Sequence, residues 1–276
     1  MYGLSCGSIP GRGIHYGKRF VERWVRTDRK NTKYYLKMDV RHFYPSVDKR
    51  MLMEKLERKF KDPRLLALIQ VILDNGDGLP IGILLSQVFA NFYLSSLDFA
   101  IKQKYGERYY IRYMDDMVVF SPNKKHLHAL RRSIDKELHG LGLTMKRNWQ
   151  VCKFDAEPLD YMGFRFYRDR TTLRRSIMLR ITRTVRRVDA KGKNATNRDA
   201  CAVISYLGWI KHSDSYGLYA KWVKPYLHIQ RLKSIIRRNQ RERNQNTKHG
   251  GAAGVGPVQL PDGGIPQPKR SADGSA

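Results

Sequence analysis

Apolar and polar positions follow two rhythms along this chain. Short, bulky runs rich in Tyr, Ile, Val and Phe occur near 34–40, 109–112, 117–120 and 161–167, and each reads as a strand. Between them the apolar residues fall at helical spacing. Leu52, Met53, Leu56 and Phe60 give one segment an apolar face. Asp62 before Pro63 reads as an N-cap and first helical residue, and the run from Arg64 to Leu73 stops at Asn75-Gly76. A helix from Ser86 carries Val88, Phe92, Ser95 and Phe99 on one stripe. That register puts Gly82 and Ser86 at its N-terminal entrance, where the helix dipole favours phosphate. Leu127, Leu130, Ile134, Leu138 and Leu141 mark a further amphipathic helix before Gly142. Strands interleaved with helices predict an α+β fold, an antiparallel sheet backed by helices, over residues 34–167. Residues 1–33 precede it, and a basic helical stretch with a loop at 192–197 follows over 168–243. Past Asn244, and above all over 250–276, Gly, Pro, Ser and Ala replace large apolar groups, and the tail 244–276 is expected to be disordered.

Charge narrows the function classes. The 276 residues hold 53 Lys and Arg against 25 Asp and Glu, a formal charge of +28. Such an excess calls for polyanions, because phosphate neutralisation and counterion release supply most non-specific affinity for nucleic acid. The excess is concentrated in the stretch from Arg165 to Arg243, with 21 basic and five acidic residues interleaved with Tyr206, Trp209, Tyr216, Tyr219, Trp222 and Tyr226. Most of these rings are expected in a small core, with the charge excess left to bind. No stretch approaches the roughly 20 apolar residues of a membrane span, and no signal peptide is visible. The chain therefore reads as soluble and cytoplasmic, with no membrane partner. Cys6, Cys152 and Cys201 show neither disulfide nor zinc spacing.

Two adjacent carboxylates, Asp115 and Asp116, sit between apolar strand runs at what reads as a hairpin tip. Like charges that close raise each other's pKa unless a cation intervenes. A solvated Asp-Asp turn is the plain alternative. Asp39, at the end of the run Tyr34-Tyr35-Leu36-Lys37-Met38, adds a strand-borne carboxylate, or else caps a turn. One Asp from a strand and one from a hairpin suit a pair of metal ions roughly 3.5–4 Å apart that clamp attacking and leaving oxygens. Hard oxygen ligands favour magnesium.

The order of these motifs resembles the palm of a reverse transcriptase, an RNA-directed DNA polymerase. Asp39 matches the first catalytic motif, Tyr113-Met114-Asp115-Asp116 the YxDD box, and Leu79 to Gln87 the motif between them. Leu143-Thr144-Met145-Lys146 falls where the family keeps a lysine near the incoming triphosphate, and Tyr161-Met162-Gly163-Phe164 resembles the primer grip. The resemblance implies a right-hand polymerase with partial fingers at 1–33, a palm at 34–167 and a basic thumb at 168–243. It implies two magnesium ions, with manganese as a substitute, held by Asp39, Asp115, Asp116 and the Val40 carbonyl, with Lys146 acting on the departing pyrophosphate. Nucleotide contacts are expected from Arg12, Phe43, Tyr44, Ile81, Gly82 and Gln87, with Tyr44 facing the ribose 2′ position, and primer contacts from Tyr161, Met162 and Gly163. Implied partners are an RNA template, a DNA or RNA primer, deoxynucleoside triphosphates and a small basic accessory protein.

Two departures refine this. Ile81 and Gln87 stand where most relatives have Gln and Pro, a pattern that resembles the enzymes of diversity-generating retroelements, alongside phage and bacterial group II-like enzymes. In that subfamily the change goes with careless copying of template adenines, since an aliphatic side chain offers the nascent pair no hydrogen bond. Antiphage defence enzymes share the palm, and a maturase-like remnant that binds RNA without polymerising is a further alternative. Secondly, the chain starts at a segment, Cys6 to His15, that resembles the second conserved block of the fingers: either this start is internal, or the gene is a fragment, or Lys18, Arg19, Arg23 and Arg26 compensate for the basic groups that relatives carry upstream.

Overall fold

The computed structural model describes residues 3–74, 76–80 and 82–250. Ile81 and residues 251–276 of the expected tail lie outside the described residues. A four-stranded antiparallel sheet sits at the centre, in the order β2-β3-β1-β4. Its strands are β1 (Tyr34–Asp39), β2 (Tyr109–Tyr113), β3 (Asp116–Ser121) and β4 (Gln150–Lys153). Successive side chains alternate between faces. Tyr35, Tyr109, Ile111, Val118 and Phe120 therefore share one core with Val21, Trp24 and Val25 of α1 (Ile14–Thr27). Leu36, Met38, Tyr110, Met117 and Val119 share the other with Leu52 and Leu56 of α3 (Lys49–Glu57). A four-residue turn of helix, α2 (Phe43–Ser46), links β1 to α3. The second core also takes Phe89 and Tyr93 of α5 (Leu84–Tyr93) and Leu127, Leu130, Ile134 and Leu138 of α7 (Lys124–His139). Because both faces are covered, these strands read as near-continuous apolar runs.

One helix start follows the anticipated cap, and a second has a cap of the same kind. The Asp62 carboxylate accepts from the amides of Arg64 and Leu65 at the start of α4 (Pro63–Leu73), and Asn123 does the same for Lys125 and His126 in α7. Elsewhere the structure departs from the pattern. The strand near 161–167 is a hairpin of β5 (Leu159–Tyr161) and β6 (Phe164–Phe166), joined by β7 (Thr171–Leu173) into a separate three-stranded sheet. Met162 and Gly163 form its two-residue loop at φ 51° and 85°. Both being left-handed, they match the tight turn whose twist suits a hairpin. Phe60 lies beyond α3 and is 43% exposed.

The stripe of Val88, Phe92, Ser95 and Phe99 is not the buried one. α5 continues through α6 (Ser95–Phe99) and a π turn (Ala100–Lys104), burying Ser86, Phe89, Ala90, Tyr93, Leu94 and Leu97 while Phe99 is 63% exposed. The run Leu84–Lys104 has the length and hydropathy of a membrane span, against the sequence reading, and half of it is buried inside the protein.

Beyond the small sheet, α8 (Arg175–Ala190) and α9 (Asn197–Lys211) pack through Met178, Ile181, Val185 and Val188 against Ala200, Val203 and Ile210. The short α10 (Tyr216–Trp222) leads to α11 (Ile229–Gly250), which runs past Asn244, where order was expected to end.

Candidate active site

Antiparallel pairing sets Asp39 at the end of β1 directly opposite Asp116 at the start of β3. Both side chains lie on the Tyr35 and Val118 face. Asp115 follows in the two-residue turn between β2 and β3. Burial, then the nearby Asp39 charge, pushes Asp115 up to about 6. Burial does the same to Asp116, up to about 7, with Asp39 and Asp115 adding to it and Lys37 opposing. Three carboxylates here share too little positive charge.

The segment Leu143-Thr144-Met145-Lys146 supplies part of what is missing. It bridges the end of β1 through Arg41 N to Thr144 O and Lys146 N to Asp39 O, both 2.8 Å. This places the Lys146 ammonium 2.5 Å from Asp39 Oδ2, which holds the lysine above its ordinary range. In that bridge, Val40 pairs with Met145 while its flanking residues make the bonds. The Val40 carbonyl is thereby turned away from Met145 toward the β3 side, where the hairpin lies.

Asp39 Oδ1 and Asp116 Oδ1 are buried and accept no hydrogen bond. An orphaned buried carboxylate oxygen is costly, and a divalent cation would satisfy it. Among the described residues no three acidic, histidine or thiol groups close around one point. The donor set is thus half a shell, which fits an ion such as magnesium that completes its octahedron with water and substrate phosphates.

Besides Tyr161, the hairpin tip is held by Arg112, Asp98 and Asn91, which the motif reading did not single out. Met114, a non-glycine residue, sits at φ 55°, a conformation that persists only when neighbours enforce it. Its carbonyl accepts from Arg112 Nη1 at 2.8 Å. Arg112 is fully buried in β2 and forms a fork with Asp98 of α6, Nε to Oδ1 at 2.8 Å and Nη2 to Oδ2 at 2.6 Å. Asn91 of α5 joins it through Nη1 at 3.0 Å, and Asn91 Nδ2 donates to Gly7 O at 2.7 Å. A Cβ at Gly7 would stand 2.4 Å from the Met114 sulfur, so that glycine makes room for the strained residue. From below, the Tyr161 hydroxyl donates to Asp116 O at 3.1 Å. The signal for this network was present as one charged residue in each of two apolar segments, Arg112 and Asp98.

The remaining predicted residues divide. Tyr44 is half-buried and close enough for the Asp115 charge to act on its hydroxyl. Phe43 is 3% exposed in the core beneath the sheet, because the turn after β1 sends consecutive side chains opposite ways. Gly82 has φ 95° with open space around it, so backbone conformation rather than close approach selects glycine there. Gln87 is half-buried in α5. Arg12 sits in the tight Ile9–Arg12 loop, near enough to Cys6 to act on its thiol. Tyr161 and Met162 are buried, Met162 packing on Gly17 of α1, and Gly163 touches Trp209 and Ile177. Their side chains brace the hairpin.

An antiparallel sheet that gathers carboxylates at one hairpin end, backed by helices, is the palm of a right-hand polymerase. The chain belongs to the reverse transcriptase (RNA-dependent DNA polymerase) family, which it matches over residues 3–166. It is similar to the Retron Ec73 reverse transcriptase of Escherichia coli, 28% identical over 163 residues, covering 52% of each protein. It thus spans about half the length of that curated relative. Among solved structures it is similar to apo telomerase from Candida tropicalis, with TM-score 0.48 and 12% identity over 79% of this chain and 48% of that one. The telomerase from Candida albicans in complex with a fragment of telomeric RNA gives TM-score 0.47 and 12% identity, over 75% and 42%.

Proposed function

We propose that this chain copies RNA into DNA by two-metal nucleotidyl transfer. The observation that carries this is the facing pair Asp39 and Asp116, with Asp115 beside them, two buried carboxylate oxygens left without partners and a lysine at the rim. Asp39, Asp115, Asp116 and the Val40 carbonyl are the groups that would hold magnesium. When bound, the ions lower the pKa of the primer hydroxyl and stabilise charge on the phosphates. The primer O3′ forms a bond to the α phosphorus of a deoxynucleoside triphosphate, the bond from that phosphorus to the bridging oxygen breaks, and pyrophosphate departs. Lys146 neutralises or protonates the leaving oxygen, and the hydroxyl proton passes to solvent. The protein contributes positioning and charge. Tyr44 walls the ribose 2′ position.

Ile81 and Gln87 support a retroelement of the diversity-generating kind. The retron relative favours a retron-type bacterial enzyme as the second reading. Two measurements test these readings. Extension of a primer on an RNA template should require magnesium or manganese and stop when the metal is chelated; persistence without metal refutes the mechanism. Sequencing the DNA product should show errors concentrated opposite template adenines, reduced about threefold to tenfold in Ile81→Gln, the effect of one hydrogen bond worth about 0.5–1.5 kcal/mol. An even error spectrum points to the retron-type reading.

A further inference from the structure

On the face of the α5–α6 run that carries Phe92 and Phe99, Phe92 packs at the rim of the second core while Phe99 is left exposed, and neither belongs to the carboxylate site. Together with α3 this face lines an open groove of about 650 Å³, whose walls include Phe92, Ser95, Ser96, Phe99, Lys55, Arg58 and Lys59. We propose that this groove binds single-stranded nucleic acid, with an unpaired base stacked on Phe99 and flanking phosphates on Lys55, Arg58 and Lys59. The inference rests on the copying function, and names a second nucleic-acid site on the same enzyme.

Four features support it. Phe99 is 63% exposed, a ring that burial alone does not explain. Among the described residues no carboxylate lies within 4 Å of the Lys55, Arg58 or Lys59 charges. The one carboxylate lining the groove, Asp98, is fully buried and spent on Arg112. The Lys55 ammonium is aimed by neutral groups, the Tyr93 carbonyl and the Ser96 hydroxyl, each at 3.0 Å, and lies 4.6 Å from the Tyr93 ring centre. Cations set beside an exposed aromatic face match the combination by which single strands are held without sequence preference. An acidic peptide would use the cations and leave Phe99 idle.

Position decides which strand binds. α3 and α5 pack on the Leu36 and Met38 face of the sheet, whereas Asp39 and Asp116 point to the other. The occupant is therefore not the primer terminus under extension. It is a separate unpaired segment, such as template RNA outside the cleft, and the groove anchors the enzyme to the molecule it copies.

The test uses the full chain, its cleft saturated with an unlabelled primer–template duplex, and a labelled oligouridylate of roughly 12 nucleotides, within the footprint of single-strand grooves. Fluorescence anisotropy should show binding that Phe99→Ala, and separately Arg58→Glu with Lys59→Glu, each weaken about tenfold. The paired charge reversal should also flatten the dependence of log affinity on log salt by about 1.4, two phosphates at about 0.7 each. All three positions are exposed, and extension of the pre-bound primer should stay at the parental rate. Unchanged affinity in both variants, or displacement of the RNA by polyglutamate at equal charge concentration, overturns the proposal. A parent that extends the primer yet binds no second strand overturns it too. A parent that binds neither duplex nor single strand refutes the copying function itself.

Discussion

At the scale of single residues the chain concentrates charge where it is most expensive. Burial and the neighbouring carboxylates, Asp39 above all, push Asp115 up to about 6 and Asp116 up to about 7. Lys146 offsets this in part at Asp115, and Lys37 and Arg174 do so at Asp116. This much was legible, because three carboxylates and a lysine interrupt apolar runs where nothing structural calls for them. The direction of each side chain was not legible. Phe43 and Tyr44 are equally aromatic neighbours, yet one is core and the other lies beside Asp115. If Tyr44 walls the ribose, Tyr44→Val should shift preference toward ribonucleotides by about 1–3 kcal/mol, the scale of one steric pocket contact. Competition between deoxy- and ribonucleoside triphosphates measures it, and unchanged selectivity returns Tyr44 to a packing role.

At the scale of elements the active hairpin depends on partners far away in sequence. Asp98 and Arg112 are both fully buried, so removing either leaves an unpaired buried charge. Asp98→Ala should cost about 3–5 kcal/mol in urea unfolding. The double replacement Asp98→Leu with Arg112→Leu should cost less than the sum of its parts, and strict additivity would show that the pair is not coupled. The end of the thumb-like helices offers a pH test. Asp199 caps α9 with Thr196 and takes a hydrogen bond from Lys191 at 2.7 Å. Lys191 first, then the Thr196 amide, hold its carboxyl down at about 2. Its ordinary value is near 3.9. Because the folded value is depressed, its stabilising effect is complete above about pH 4 and is lost as pH falls from there through about 2. Asp199→Asn should flatten stability across that window, and an unchanged acid profile would contradict the cap. The start of α4 was readable from Asp62, since caps are local chemistry. The β5–β6 hairpin was not, because its turn is made by Met162 and Gly163 rather than by a common turn pair. The buried stripe of α5 and α6 was missed for a similar reason: a helix apolar nearly all round does not announce which face it buries.

For the whole molecule, the α+β architecture followed from interleaved strand and helix runs, whereas the pairing of β1 with β4 and the small second sheet depend on contacts no local pattern encodes. What joins sequence, fold and proposed activity is that β1 and the β2–β3 hairpin bring Asp39, Asp115 and Asp116 to the same end of the sheet. Asparagine at Asp39 or Asp115 keeps side-chain volume and removes the charge that would bind metal. The most direct measurement is primer extension on an RNA template with magnesium, by the parent and by Asp39→Asn and Asp115→Asn, alongside RNA binding by the same three proteins. Extension should fall at least a hundredfold in both variants, the scale on which preorganised charge contributes to catalysis, with RNA affinity within about twofold, since phosphate contacts elsewhere supply it. DNA synthesis at the parental rate by either variant would contradict the assignment.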